Sequence, residues 1–205
     1  MKTFISAGTP MMKAKSETTT KTDKTVLLLH GIGGYAGIHW QKWLHDELKS
    51  RGYHIIMPSL PDADHPDRST WLKVVTELVK PIEPSKLIIV GHSLGVLTAL
   101  DLIENSYTPV HQLISVSGFT DDYGAELNSY FTKEMLTDFD KIRRNCQHFA
   151  VLYGDNDPYV PQISLRLLAA DLLVKPVIIK NGGHLNTDSG FTKFPELLTL
   201  LLDKT

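Results

Sequence analysis

Residues 86–95 read KLIIVGHSLG, an apolar run that ends in a G-x-S-x-G pattern. The run predicts a buried strand, and the apolar residues after it predict a helix over about residues 94–104. A serine between such a strand and helix occupies a sharp turn, and the flanking glycines let the chain fold tightly around it. The stretch therefore predicts that Ser93 is a nucleophile. The alternative is a purely structural role, in which the serine caps a glycine-rich turn.

The chain on both sides of this stretch alternates between apolar runs and segments of helical periodicity. Further strands are predicted at 26–31, 53–58, 111–118, 148–154 and 176–183. Further helices are predicted over about 40–52, from an N-cap at Ser69 to 79, over 161–172 and from Pro195 onward. This alternation predicts an α/β fold with about six mainly parallel strands, helices on both faces and a minimal cap. Ligands of such sheets bind at the carboxyl ends of the strands.

The composition is that of an ordinary globular protein. The chain has 205 residues, a formal net charge of −2 and 42% hydrophobic residues. The length fits one domain, and the charge excludes recruitment to nucleic acid by bulk positive charge. The longest apolar runs are too short to span a bilayer, so no membrane partner is expected. The single cysteine, Cys146, excludes an internal disulfide and predicts a small buried hydrophobe.

The N-terminal residues differ in composition from the rest of the chain. Residues 13–25 form a Lys/Thr tract without apolar periodicity, and the residues before them hold no apolar run of signal-peptide length. We therefore expect a flexible N-terminal arm over 1–24, a single domain over 25–205 and, by default, a cytoplasmic location.

A serine hydroxyl is a weak nucleophile and needs a base, which in turn needs an orienting acid. His184 follows the last predicted strand, and the two glycines before it leave the loop free to carry an imidazole over the sheet. A loop histidine taken alone is usually a solvated side chain. Its position after a strand, like that of Ser93, makes His184 the predicted base.

Two carboxylates follow the fifth predicted strand and compete for the role of the acid. Asp155 lies between Gly154 and Asn156, which are typical of a turn, whereas Asp157 is held by Pro158. Asp157 is therefore the favoured acid. The resulting chain order of serine, aspartate and histidine is that of an α/β-hydrolase triad.

Acyl transfer also requires N–H donors for the oxyanion. The predicted donors are the main-chain amides of Leu94, directly after the nucleophile, and of Ile32, in the loop HGIGG (30–34) after the first strand. The glycines of this loop could also be plain turn residues. Gly31 and His92 are predicted substrate-binding positions, with packing or hydrogen bonding near the site as the other role for His92.

The loop at 60–68 is acidic and holds one histidine. Its candidate ligands are Asp62, Asp64, His65 and Asp67. These residues lack the spacing of a recognised metal motif, so a solvated acidic loop is predicted. We expect neither a metal ion nor an organic cofactor.

Residues 119–146 are more polar than the rest but hold aromatic and apolar side chains at roughly helical spacing. These are Tyr130, Phe131, Met135, Leu136 and Phe139. Such a segment forms either a small cap over the acyl pocket or an ordinary pair of surface helices. The sequence leaves both interpretations open.

Residues 25–203 resemble the small α/β-hydrolases of the retinoblastoma-binding-protein-like, or YdeN-type, serine hydrolase family. The matching pieces are HG with a downstream His39-Trp40, LPDADHPDRSTW (60–71), GHSLG, DNDPYVP (155–161) and GGHLNTDSGFTKFPE (182–196). The resemblance implies a compact fold without a large lid, Ser93, Asp157 and His184 as the triad, and a carboxylesterase-like activity. The glycine-rich residues 32–34 depart from the bulkier loop expected at this position.

The expected function is hydrolysis of small carboxylic esters through an acyl-enzyme on Ser93. Thioester, amide or lactone cleavage would use the same residues. The alternative is a catalytically weak hydrolase-fold protein that acts as a protein-binding module. The presence of all three triad residues favours the enzyme, with a small-molecule ester as its partner and no nucleic acid.

Overall fold

The computed structural model describes residues 22–133 and 137–203. Its six strands are β1 (Thr25–Leu29), β2 (His54–Ile56), β3 (Leu87–His92), β4 (Val110–Val116), β5 (Cys146–Gly154) and β6 (Val177–Ile179). Its seven α-helices are α1 (Gln41–Ser50), α2 (Arg68–Val79), α3 (Leu94–Glu104), α4 (Ser129–Lys133), α5 (Phe139–Arg144), α6 (Gln162–Asp171) and α7 (Pro195–Leu202). None of these helices is long and apolar enough to cross a membrane. The predicted arm lies outside the described residues, apart from 22–24.

The six strands form one parallel sheet in the order β2-β1-β3-β4-β5-β6. The prediction of a mainly parallel sheet is therefore confirmed. After β2 the chain returns to the other side of β1, so the strand order reverses between β1 and β3. Ligands bind at the carboxyl ends of the strands beside such a reversal. Leu29 pairs with Gly91 across this point, which brings the loops after β1 and β3 together.

Both faces of the sheet are buried, which explains why its central strands are continuous apolar runs rather than alternating ones. In β1, Leu27 and Leu29 belong to the core cluster on one face. Val26 and Leu28 belong to the cluster on the other face. All four side chains are fully buried.

The predicted start of α2 at Ser69 is wrong by two residues. Asp67 is the N-cap, and its carboxylate accepts a hydrogen bond from the Thr70 N–H at 2.6 Å. The Ser69 hydroxyl donates to the same carboxylate at 2.8 Å. Either residue type can cap a helix, but the extended backbone at Asp67 lets its carboxylate reach the free N–H groups of the first turn.

Cys146, the first residue of β5, is 4% exposed. Burial raises the pKa of its thiol to about 12. The thiol donates a hydrogen bond to the carbonyl oxygen of His148 at 3.2 Å. The prediction of a small buried hydrophobe is confirmed.

A buried ion pair, which the sequence analysis missed, joins α2 to α3. The Arg68 side chain is fully buried, and its Nε and Nη2 donate to the two carboxylate oxygens of Asp101 at 2.8 and 2.7 Å. Its Nη1 donates to the carbonyl oxygens of Phe131 and Thr132 at 3.2 and 3.3 Å. This one guanidinium therefore ties α4 to the body of the fold.

Replacing Asp101 with alanine would leave the Arg68 guanidinium buried without its counter-charge. Loss of one partner from a buried pair typically costs about 3–5 kcal/mol, so we expect the free energy of unfolding to fall by that amount. Urea denaturation followed by circular dichroism measures it. The matched control is Glu77→Ala, which removes an exposed partner of Lys80 and is expected to cost less than about 1 kcal/mol. Equal losses in the two variants would contradict the prediction.

Candidate active site

Ser93 lies on the turn between β3 and α3 with φ 54° and ψ −125°. Residues other than glycine rarely adopt a positive φ, and such strain persists only where neighbouring contacts enforce it. Here the Ser93 N–H donates to the carbonyl oxygen of Val116 in β4 at 3.0 Å. The Ser93 carbonyl accepts from the N–H of Val96 at 3.0 Å. These bonds hold the strained turn at the carboxyl end of the sheet.

Glycine is required around this turn because neighbouring backbone approaches closely. A Cβ atom on Gly95 would lie 2.5 Å from the carbonyl oxygen of His30. A Cβ atom on Gly31 would lie 2.8 Å from the Cβ atom of Ser93. The last glycine of G-x-S-x-G thus lets α3 pack against the end of β1, and Gly31 leaves room for the serine.

A cavity of about 490 Å³ opens beside Ser93. Its walls come from the loops after β1, β3, β5 and β6 and from residues 123–128, so it lies at the carboxyl ends of the strands. The predicted site residues that line it are Gly31, Ile32, His92, Ser93, Leu94 and His184. Asp157 lies behind His184, with its side chain fully buried.

His184 and Asp157 are joined by a hydrogen bond of 2.7 Å between Nδ1 and Oδ2. The other carboxylate oxygen of Asp157 accepts from the N–H groups of Tyr159 and Val160 at 2.9 and 3.0 Å. These backbone donors fix the carboxylate, which then orients the imidazole. With Nδ1 donating to the carboxylate, Nε2 is the ring nitrogen left to accept a proton.

The rival acid, Asp155, contacts the loop of His184 but not its ring. Its Oδ1 accepts from the N–H of Asn181 at 2.7 Å. The neighbouring Asn156 accepts from the N–H of Gly183 through its Oδ1 at 2.8 Å. Asp155 and Asn156 therefore brace the loop after β6, as turn-forming residues commonly do.

The two amides predicted for the oxyanion both belong to residues that line the cavity. The neighbouring N–H of Gly33 donates to the carbonyl oxygen of Ala63 at 2.7 Å, and that of Gly34 donates to Gly31 at 3.2 Å. By contrast, the N–H groups of Ile32 and Leu94 donate to no protein group within the described ranges. Neither N–H group is therefore tied to the main chain as those of Gly33 and Gly34 are.

His30 connects the loop after β1 to the loop at 60–68. Its Nε2 accepts from the N–H of Leu60 at 2.8 Å, so Nδ1 carries the proton and donates to the carbonyl oxygen of Gly31 at 2.8 Å. Burial lowers the pKa of His30, and its ring contacts Trp71 edge-on. His30 therefore acts through packing and hydrogen bonding between these two loops.

His92 lines the cavity, but its Nε2–H already has a protein acceptor. That group donates to the carbonyl oxygen of His184 at 2.9 Å. Burial and the nearby His184 hold the pKa of His92 well below its ordinary value. The hydrogen-bonding role expected for His92 is present, and its Nε2–H is not free to bind a substrate.

The acidic loop at 60–68 serves local structure. Asp67 caps α2, and the ring of His65 stacks on that of Tyr130 with 4.1 Å between centroids. The Trp71 Nε1–H donates to the carbonyl oxygen of Pro61 at 2.8 Å. Within residues 22–133 and 137–203, no three His, Cys, Asp or Glu side chains are grouped to hold a metal ion.

The segment at 119–146 could form either a small cap over the pocket or a pair of surface helices, and its two parts differ in this respect. Its first part forms one wall of the cavity through Tyr123, Ala125, Leu127 and Asn128. Phe131 is buried there, and its ring lies edge-on to that of Trp71 with 5.6 Å between the ring centroids. The second part holds α5, which packs against α3 and β5. Met135 and Leu136, which were expected to contribute, lie outside the described residues.

Comparison with known proteins identifies the family of this chain. The sequence profile described as "Serine hydrolase" matches residues 26–203. The chain belongs to this serine hydrolase family. The serine hydrolase RBBP9 of Rattus norvegicus is 28% identical over 183 residues, covering 87% of this chain and 93% of that protein.

Solved structures extend the comparison to the fold. The crystal structure of YdeN from Bacillus subtilis matches with a TM-score of 0.81 at 25% identity, covering 88% of this serine hydrolase and 98% of YdeN. Esterase PE8 shares the fold with a TM-score of 0.63 at 16% identity, covering 91% and 95% of the two chains. The family and the α/β-hydrolase fold implied by the sequence resemblance are therefore confirmed.

Three buried or half-buried histidines of this serine hydrolase predict a loss of stability in mild acid. Burial is the largest cause of the lowered pKa values of His30, His39 and His92, whereas the unfolded chain binds protons near the ordinary value of 6.5. The unfolded state therefore binds more protons below pH 6.5, so the free energy of unfolding decreases as the pH falls from 6.5 to 5. Each histidine contributes up to about 1.4 kcal/mol per pH unit. Urea denaturation at several pH values measures the slope, and a flat profile would contradict the prediction.

Proposed function

We propose that this serine hydrolase cleaves small, uncharged carboxylic esters through an acyl-enzyme on Ser93. The observation that carries the proposal is the hydrogen bond between His184 and the buried Asp157, beside the cavity that Ser93 lines. A carboxylate that orients an imidazole near a serine on a strained turn is the arrangement that activates a hydroxyl nucleophile. Membership of the serine hydrolase family supports the same reaction class.

In the first half of the reaction, Ser93 Oγ attacks the ester carbonyl carbon and its proton passes to Nε2 of His184. Asp157 keeps the Nδ1–H oriented and stabilises the positive charge on the ring. The N–H groups of Ile32 and Leu94 donate to the developing oxyanion. The carbon–oxygen bond to the alcohol then breaks, and the alcohol leaves with the proton from His184.

In the second half, water attacks the carbonyl carbon of the acyl-serine while its proton passes to His184. The resulting oxyanion occupies the same two N–H donors. The bond between the acyl carbon and Ser93 Oγ then breaks, and the serine regains its proton from His184. The products are the carboxylic acid and the free enzyme, so one imidazole carries both proton transfers.

The walls of the cavity support an uncharged substrate. Among the described residues that line it, there is no lysine, arginine, aspartate or glutamate. Two of its imidazoles, His39 and His92, have lowered pKa values and are neutral at pH 7. A charged substrate group would lose hydration without gaining a counter-charge, which is unfavourable.

The size of the cavity supports a short acyl chain. Its volume of about 490 Å³ lies in the lower half of the range of small-molecule sites, which is roughly 300–1,000 Å³. The wall at residues 123–128 precedes α4, which the buried Arg68 holds through the carbonyl oxygens of Phe131 and Thr132. Long chains would have to displace this wall or extend past the mouth of the cavity.

Intact-mass analysis after exposure to a fluorophosphonate probe tests the activated serine. We expect a single adduct on the wild type and none on Ser93→Ala, because the probe reacts with a hydroxyl that a base activates. Ser106→Ala, which removes a half-buried hydroxyl outside the cavity, should keep the adduct. A folded wild type that stays unlabelled would contradict the proposal and favour the protein-binding module.

The role of Asp157 predicts a large kinetic effect with little change in structure. Asp157→Asn should lower kcat by about three to four orders of magnitude, because the amide no longer holds the productive tautomer of His184. Asp140→Asn, a surface change in α5, is the matched control and should retain wild-type kcat. Steady-state kinetics with p-nitrophenyl butyrate measures both, and similar kcat values for the two variants would contradict the assignment.

A panel of p-nitrophenyl esters tests the substrate class. The uncharged butyrate is compared with the succinate half-ester, which has the same chain length but ends in a carboxylate, and with the long-chain laurate. We expect kcat/KM for the succinate half-ester and for the laurate to be at least about tenfold lower than for butyrate. The cavity offers no counter-charge to the succinate and too little room for the laurate. Faster hydrolysis of either one would overturn the proposed specificity.

A further inference from the structure

The loop that carries His184 is strained along its length. Asn181, Gly183 and Leu185 have φ values of 54°, 53° and 51°. Two of these residues are not glycine, and such conformations cost roughly 1–3 kcal/mol each unless the surroundings enforce them. The position of the His184 imidazole therefore depends on the contacts that hold the loop.

Two buried ring N–H groups hold consecutive carbonyl groups of this loop. The His92 Nε2–H donates to the carbonyl oxygen of His184 at 2.9 Å, and the Trp40 Nε1–H donates to that of Leu185 at 2.9 Å. A carbonyl oxygen only accepts, so Nε2 of His92 carries its proton. The two rings are 3% and 0% exposed and contact each other edge-on. Neither ring takes a chemical part in the proposed reaction.

The remaining main-chain group of His184 is also bound by a side chain, because its N–H donates to Oγ of Ser189 at 3.2 Å. Ser189 belongs to the same loop, whereas His92 lies on β3 and precedes Ser93 directly. The hydrogen bond from His92 is thus a short connection between the nucleophile turn and the loop of the base. Displacing a catalytic group by about 1 Å can lower the rate of the reaction by about 100-fold.

We propose that His92 is a positioning residue whose Nε2–H holds the main chain of His184 at a fixed position relative to Ser93. Trp40 holds the same loop at the next residue. The inference rests on the proposed function, because it assigns His92 a task in that reaction. It also explains why the site uses a histidine beside the nucleophile, where the ring reaches across to the loop after β6.

Two substitutions separate the N–H donor from the bulk of the ring. His92→Phe keeps an aromatic ring without the donor, and His92→Gln places an amide N–H near the position of Nε2. We expect His92→Phe to lower kcat and the rate of fluorophosphonate labelling by about 10- to 100-fold, with KM within about threefold of wild type. His92→Gln should recover most of the loss. His54→Phe, at the exposed first position of β2, is the matched control and should match the wild type.

A readout independent of turnover is the downfield NMR resonance of the Nδ1 proton between His184 and Asp157. It should persist in His92→Gln and be shifted or broadened in His92→Phe. Should His92→Phe fail to fold, Trp40→Phe removes the other donor and is expected to change kcat and the resonance in the same directions.

Wild-type kcat in a folded His92→Phe, or equal losses in the Phe and Gln variants, would overturn the inference. A wild type that the probe does not label contradicts the proposed function alone. The resonance then still decides the role of His92, because it reports the position of the His184 ring without any reaction.

Discussion

The reversal of strand order between β1 and β3 is the constraint on which the site depends. It leaves the loops after these two strands side by side, with no connection crossing above them. Ile32 follows one strand, and Ser93 and Leu94 follow the other, so residues of both loops line one cavity. The close approach of Gly95 to the end of β1 sets how near these two loops lie.

Much of this arrangement could be predicted because local patterns encode it. Apolar runs specified the strands, and the position of Ser93, Asp157 and His184 after separate strands specified a shared edge of the sheet. The start of α2 was missed because Asp67 and Ser69 are both good caps, and only the backbone conformation decides between them. Sequence periodicity offers no signal for such a choice.

The contacts that hold the site in place were harder to predict for a different reason. The donors on His92 and Trp40 bind carbonyl groups 92 and 145 residues away. Arg68 binds the carboxylate of Asp101, 33 residues on, and carbonyl groups of α4. Local spacing carries no information on which distant carbonyl a side chain will meet. The motif containing His39-Trp40 was visible in the sequence, but its physical role needed the structure.

The histidines near Ser93 divide into two classes by what their ring nitrogens bind. His30 bonds to main-chain groups, His92 donates to a carbonyl, and His39 accepts from Thr187 through Nδ1. Burial favours the neutral form of these three rings and leaves them as fixed hydrogen-bonding groups. Within this group, His184 alone places a ring nitrogen on a carboxylate, which can stabilise the charge that proton transfer creates. The neutral rings around it add no competing charge at pH 7, so the one histidine beside Asp157 is the one suited to move protons.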